Sequence, residues 1–321
     1  MNIQSTLKTS IFSNRIPRIT GDVVFYILTV IGAAMLILLL SGILFELITT
    51  ASDSLKKFGL GFIYTYKWNP VTGEYGALSS IFGTVVSTVI ALIIAIPTSL
   101  VIALFLVELA HPRIGNFFGS AIELLAAIPS IIYGMWGLFV FAPFMANYIQ
   151  PFLGNTLGFL PLFKGPPMGI GVLTAGIVLA IMVLPFITSI VRDVFHMVPA
   201  VVKEAAYGTG ATKWEVVRAI VMPYSFKGII GGCFLGLGRA LGETMAVTFV
   251  IGNSHRISAS LFESGNSIAS CLANEFTEAA DPLHLSALVH LGLVLFMLTV
   301  VIQIAAQLWL KAIHKTGQGR C

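Results

Sequence analysis

Six long apolar stretches, at 23–48, 78–106, 117–146, 169–191, 228–251 and 285–310, each carry few charges or none. A bilayer core about 30 Å thick is crossed by roughly 20 apolar helical residues, so every one of them is long enough to span it. Lipid offers the backbone no water to bond with, and separate spanning segments of this length satisfy their own N–H and C=O groups only as helices. The predicted class is therefore all-α, a polytopic membrane protein with about six transmembrane helices. Composition agrees: 57% of the 321 residues are hydrophobic and 10% are charged, too few polar groups to cover a water-soluble globule. The net charge of +4 is small, and the basic residues are scattered between the apolar stretches, so no nucleic-acid partner is expected. Cys233, Cys271 and Cys321 show no CxxC or Cys/His ligand spacing, and neither a disulfide framework nor a metal site is predicted from them. The first stretch is too long for a signal-peptide core and is read as retained.

Pro97, Pro185 and the Pro129/Gly134 pair interrupt three of the stretches. Membrane helices tolerate such breaks where neighbours satisfy the freed backbone groups, and the third span is expected to be kinked or broken. Basic residues in short loops mark the cytoplasmic side. Lys8, Arg15 and Arg18 precede the first span, Arg113 lies in the second connection, Arg192, Lys203, Lys213, Arg218 and Lys227 fill the fourth, and Lys311, Lys315 and Arg320 follow the last. All fall on one side, so both termini are predicted to be cytoplasmic. Lys56, Lys57 and Lys67 in the first external connection oppose this rule, accompanied by Asp53 and Glu74. The chain divides into residues 1–75 (N-terminus, first span and external loop), a five-span core over 76–310 with a patterned cytoplasmic loop at 201–223, and a cytoplasmic tail over 311–321.

The 201–223 loop is too long for a plain turn. Residues 203–207 read as a short helix, Gly208 and Gly210 as its break, and Thr212 with Glu215 as a capping box opening a second helix. Pro223 is predicted to end that second helix. Ala205 and Ala206 add little bulk, so the loop forms a rigid knob for a partner's groove. It resembles the cytoplasmic signature of ABC-importer permease subunits, in which Glu-Ala-Ala is followed after three residues by Gly and, nine residues on, by an apolar residue, any residue, Leu and Pro. Glu204, Ala205, Ala206, Gly210, Ile220 and Pro223 match, with Met222 where Leu is usual. The resemblance implies docking on a cytoplasmic ATPase. The chain has no phosphate-binding loop of its own, since the stretch 208–213 lacks a Gly directly before Lys213. No cofactor is therefore expected in this chain, and ATP would be bound by partner subunits.

The fifth stretch carries Arg239 twelve residues beyond Lys227, about 18 Å into the bilayer on a continuous helix. Glu243, four residues further, is predicted on the same helical face. Either charge alone there costs roughly 3 kcal/mol or more, so both must face protein, water or each other. Two readings stay open. The pair is an internal ion pair that fixes packing, or Arg239 offers its planar fork of donors to a phosphate-like oxyanion while Glu243 holds the fork or accepts a proton-bearing oxygen. Thr244 and Thr248 add hydroxyls, which either face the same path or bond back to the backbone. Gly228, Gly232 and Gly236, and likewise Gly238 and Gly242, recur at four-residue spacing and are assigned to close helix packing.

The run 236–253 is similar to the same span of the PstC-type permeases of bacterial phosphate importers, as are 122–139, 192–195, 265–268 and 272–276. Met245, Ala246, Val247 and the external loop fit this type better than the sister PstA type. The likeness runs from the first span to the last. It implies a type I ABC importer permease bundle in the bacterial inner membrane. Such a chain is a non-catalytic permease subunit of an ATP-driven phosphate import complex and forms half of its translocation path. Arg239, Glu243 and Thr244 would line that path. The implied partners are a PstA-type permease subunit, two cytoplasmic ATPase subunits, a periplasmic phosphate-binding protein and the lipid bilayer. Phosphonate and sulfate remain alternative substrates, because the same fork of donors engages them. An intramembrane enzyme pairing Glu243 with a histidine is a further alternative, although His284 and His290 carry no paired-His or nucleophile motif. A channel or scaffold without energy coupling is a third, and the Glu204 loop argues against it. Glu123 is read as a packing or gating residue, and Glu46 and Glu108 as ordinary span-end charges. Tyr64, Tyr66 and Trp68 are read as interfacial aromatics or a docking patch. The acidic loop with Glu263, Glu275, Glu278 and Asp281 is read as solvated or as a docking surface.

Overall fold

The computed structural model describes residues 21–317, with side chains through Lys311. Lys8, Arg15, Arg18, Lys315, Arg320 and Cys321, used above, lie outside the described residues or side chains. Two compact units are present, Met1–Thr49 and Thr50–Cys321. The described part of the first is the helix Gly21–Thr50, a 30-residue apolar span with no buried residue. The second unit holds five more helices long and apolar enough to cross a membrane: Leu78–Leu109, Ser130–Leu157, Val172–His196, Lys213–Leu241 and Pro282–Lys311.

The second and fourth spans form the centre. Two-thirds of the fourth span's most apolar window is buried (67%) against 28% or less in every other span, which makes it the axis around which the other spans of the second unit pack. The second span meets it with a face built from Gly83, Ser87, Ala91, Ala95, Ser99 and Ala103, all buried and four residues apart. Its larger Val89, Ile93 and Val101 point outward instead. This inverts the soluble-protein pattern for a physical reason: lipid is as apolar as leucine, so helices associate through close backbone approach at small residues. The buried hydroxyls bond locally or across the seam. Ser87 Oγ donates to the Gly83 carbonyl at 2.7 Å, and Ser99 Oγ donates to the Leu184 carbonyl at 3.0 Å, one residue before Pro185.

The glycine stripe of the fifth span packs as predicted through Gly238, whereas Gly242 is exposed at the helix end and meets no other helix. A Cβ at Gly228, Gly232 or Gly236 would stand 2.6, 3.0 and 2.6 Å from Val194, Ile190 and Ile187 of the fourth span. At Gly238 it would meet Gln303 of the last span at 2.7 Å, and the Gln303 amide donates to the Phe234 carbonyl at 3.3 Å.

Two spans depart from their predicted bounds. The third, expected over 117–146, is broken at Pro129: a helix Pro112–Ala126 ends, residues 127–129 turn, and the span proper is Ser130–Leu157. Pro129 is extended at φ −57°, ψ 138° and has no N–H to continue a helix. The fifth, expected over 228–251, begins at Lys213 and stops at Leu241; residues 242–244 are non-helical and a short helix Met245–Ile251 follows. Pro223, predicted to end the second helix of the loop, instead sits in the first turn of Met222–Leu241. A π-helical turn at Val217–Val221 precedes it, and such a turn re-spaces the carbonyl ladder where proline can make no bond.

At the end of the bundle away from the 201–223 loop, the helices Ser52–Phe58 and Gly61–Tyr64 pack beside the last span. His290 Nδ1 lies 3.0 Å from Ser54 Oγ, and its ring stacks on Phe62 at 4.0 Å between centroids. Trp68, read from sequence as an interfacial aromatic, is turned inward: its indole nitrogen donates to Glu275 at 2.7 Å. Glu275 in turn is no solvated loop charge. Burial pushes its pKa upward, but hydrogen bonds from His255, Trp68 and His284 outweigh that and hold it at about 2.

Gly83 fixes how this end closes. A Cβ there would overlap the carbonyl oxygen of Asn266, and the neighbouring Thr84 hydroxyl accepts from the Ile268 N–H at 2.9 Å. Gly83→Ala is expected to destabilise the protein by about 1–3 kcal/mol, as over-packed sites do. The measurement is the thermal midpoint of the detergent-solubilised protein, and an unchanged midpoint would contradict this packing.

Candidate functional site

Where the fifth span breaks, the two charges predicted to share a helical face separate. Gly242 ends the helix and Glu243 and Thr244 lie beyond it, so the four-residue helical register no longer joins Arg239 to Glu243. No ion pair links them. Glu243, 9% exposed, turns its carboxylate onto the start of the following helix, where Oε1 accepts from the Ala246 N–H at 3.3 Å. Here it satisfies one of the backbone donors that a helix start leaves open. Thr244 Oγ1 reaches its own neighbour's carbonyl at Gly242, at 3.4 Å, and Thr248 Oγ1 donates to the Thr244 carbonyl at 2.7 Å. The hydroxyls therefore bond back to the backbone, one of the two readings left open by sequence.

Arg239 is left with a positive charge and no carboxylate. Its guanidinium carbon sits 5.2 Å from the Phe186 ring centroid on the fourth span, and its Nε is buried with no hydrogen-bond partner. An aromatic face contributes only about 0.5–2 kcal/mol to a cation, well short of the cost of holding a charge at this depth. The fourth and fifth spans thus meet at a cation whose Nε has no hydrogen-bond partner, an arrangement suited to an anion.

The 201–223 loop is built as the sequence predicts in its first half. The helix Ala200–Gly208 has no buried residue, and Gly210 follows at φ +88°, a conformation glycine adopts without strain. Thr212 and Glu215 complete the capping box, the Thr212 N–H donating to Glu215 Oε2 at 2.7 Å. Glu204 and Ala205 face outward, while Ala206 packs against the main core. Val201, Trp214 and Met197 add apolar surface on the same loop, each at least two-thirds exposed.

Two ion pairs fasten this end; one of them carries the packing role read for Glu123, and the other was not expected. Lys203 Nζ lies 2.5 Å from Glu108 at the end of the second span, both side chains largely buried. Glu108 is thus an anchor for the coupling helix where sequence saw an ordinary span-end charge. Arg192 bonds Glu123 at 3.0 Å, closing the helix Pro112–Ala126 onto the fourth span. Gly119 makes room for that guanidinium, because a Cβ would occupy its place. The two histidines of the enzyme reading are engaged elsewhere, His284 with Glu275 and His290 with Ser54.

The family described as "Binding-protein-dependent transport system inner membrane component" matches residues 71–315. A protein of Mesorhizobium japonicum named "Phosphate transport system permease protein PstC" is 50% identical over 301 residues, 92% of each chain. A protein of the same name from Pasteurella multocida is 50% identical over 312 residues, covering 96% of this chain and 97% of its own. Among solved structures, a bacterial ABC transporter involved in the import of the acidic polysaccharide alginate superposes with a TM-score of 0.63 at 14% identity, over 92% of this chain and 97% of that one. The latter likeness is one of fold.

Proposed function

As this chain belongs to the binding-protein-dependent transport system inner membrane components, and to their PstC-type phosphate permeases, we propose that it is the permease subunit of a phosphate importer that moves the anion past Arg239. The observation that carries this reading is the unpartnered guanidinium: a cation in the last turn of the fifth span, with a buried, unbonded Nε and no carboxylate of its own. Phosphate supplies both the negative charge and several acceptor oxygens for a planar fork of N–H groups. With Glu243 drawn onto the following helix, the fork is free for each passing anion.

Energy enters at the other end. The exposed helix Ala200–Gly208, with Glu204, Ala205, Ala206, Gly210 and the Thr212 cap, is the knob held by cytoplasmic ATPase subunits, which bind the ATP. Lys203 carries its displacement to the second span through Glu108, and Pro223 and the π-helical turn join it to the span that holds Arg239. In this reading a PstA-type permease forms the other half of the path and a periplasmic phosphate-binding protein delivers the anion. The chain itself catalyses nothing, and both of its termini lie in the cytoplasm of a bacterial cell with this protein in its inner membrane.

The direct test is competition. In proteoliposomes holding the whole complex and its binding protein, ATP-driven uptake of radiolabelled phosphate is expected to survive a tenfold excess of sulfate or of a phosphonate, within about twofold, since each tenfold in selectivity needs only about 1.4 kcal/mol. Uptake of sulfate or phosphonate in place of phosphate would overturn the assignment of substrate.

A further inference from the structure

The end of the bundle away from the coupling loop holds a second polar cluster that transport does not use. The loop between the fifth and last spans contributes His255; the helix Ile268–Glu275 contributes Cys271 and Glu275; the start of the last span contributes His284. His255 Nε2, Cys271 Sγ and a Glu275 carboxylate oxygen all lie within 4.8 Å of one another. Glu275 Oε1 is 2.9 Å from His255 Nε2 and 3.5 Å from Cys271 Sγ, and His284 Nε2 is 3.0 Å from the other carboxylate oxygen. Ligand atoms around a tetrahedral zinc ion, at bond lengths of about 2.0–2.3 Å, are separated by roughly 3.3–3.7 Å. His255, Cys271 and Glu275 already stand near that spacing, and His284, on the other carboxylate oxygen, would turn toward them to complete the tetrahedron.

Around these donors the rings are held in place. His255 stacks on Trp68 at 5.4 Å and 10°, and His284 on Tyr75 at 5.4 Å and 11°. The Trp68 indole donates to Glu275, the kind of outer contact that orients a ligating carboxylate. A second observation is independent of the donors themselves. Asn266, 2% exposed, sets its amide nitrogen 3.3 Å from His255, yet its Oδ1 is buried with no hydrogen-bond partner. A buried carbonyl oxygen without a partner is costly and rare, and beside imidazole, thiol and carboxylate it adds negative potential that favours a cation.

We propose that His255, Cys271, Glu275 and His284 form a binding site for a zinc-type divalent cation. A sulfur ligand beside imidazoles selects zinc over magnesium or calcium, which prefer all-oxygen shells. Bound there, the ion would tie the 252–281 loop to the head of the last span, two segments already joined by hydrogen bonds and by the apolar packing of Ile268 and Cys271 against Leu288 and Leu291. No spacing in the sequence signals the site, because His255, Cys271 and His284 are separated by 16 and 13 residues and meet only through folding.

The test uses the full permease complex without a polyhistidine tag, carrying Cys233→Ser and Cys321→Ser so that Cys271 is the chain's remaining thiol. After chelation and dialysis, cobalt is titrated in. One ion per permease chain is expected, with a thiolate-to-cobalt charge-transfer band that zinc displaces. Cys271→Ser is expected to abolish the band, and His255→Gln, which keeps the thiol, to weaken zinc at least about tenfold, as loss of a ligand contact does. Assembly is followed by size exclusion, so that a misfolded Cys271→Ser leaves the decision to His255→Gln. Absence of the band from the assembled Cys271-containing complex, or a zinc affinity unchanged by His255→Gln, would overturn the proposal.

Discussion

Arg239→Gln is expected to abolish ATP-driven phosphate uptake, lowering it about 100-fold or more, while the complex still assembles. Leaving one partner of a buried ionic contact without its counterpart costs roughly 3–5 kcal/mol, a factor of about 10² to several 10³. Here the counterpart is the transported anion. Arg239→Lys should fall between, because an ammonium is a point charge without the planar fork. Glu243→Gln is expected to matter far less than Arg239→Gln, since an amide oxygen can still accept the Ala246 N–H that Glu243 accepts now. Were the two residues a structural ion pair, both changes would damage uptake and assembly alike. Initial rates of labelled phosphate uptake, with assembly followed by co-purification, separate the two cases. Wild-type uptake by Arg239→Gln would remove Arg239 from the path.

The second large effect lies at the coupling loop. Glu204→Lys combined with Gly210→Val is expected to reduce recovery of the ATPase with the permease at least tenfold, and uptake with it. The charge reversal acts on an exposed helix, and the valine acts on the backbone. Gly210 sits at φ +88°, where a β-branched residue is a genuine outlier, so the break between the two helices would re-form at another angle. Neither change touches the core: Glu204 is exposed, and nothing stands within 4 Å of a Cβ at Gly210. Insertion and folding should therefore persist, and the loss should appear as failed docking. Undiminished recovery of the ATPase from the double variant would contradict the role of this loop.

Much of the architecture was legible because membrane folding leaves few choices. Six apolar runs became six spans, the Gly228, Gly232 and Gly236 stripe became a helix seam, and the Thr212–Glu215 box became a cap. These features are local, written within one or two turns of chain. The buried face of the second span was equally legible in principle. Gly83, Ser87, Ala91, Ala95, Ser99 and Ala103 repeat every four residues, and that small-residue period marks the side that meets another helix.

Other features needed the neighbours. The largely apolar run of 24 residues from 228 to 251 is compatible with one straight helix, and only the packed structure shows it stopping at Leu241. That break separates Arg239 from Glu243 and turns a plausible ion pair into a capping carboxylate and an unpartnered cation. Pro223 misled in the opposite direction: a π-helical turn just before it let the helix continue. Glu108, Trp68 and Glu275 looked like surface residues because their partners, Lys203 and the histidines, lie 95, 207, 20 and 9 residues away in the hydrogen bonds they form.

By itself, then, the sequence determined that this chain lives in lipid, that the described residues hold six spans, and that a helix-break-helix knob follows the fourth. The need of every backbone group for a partner in hydrocarbon makes that much a matter of local pattern. The tertiary structure decided which charges are spent on the protein and which remain for a ligand. Whether a buried group is satisfied depends on atoms brought from distant parts of the chain, and no period or spacing records their arrival.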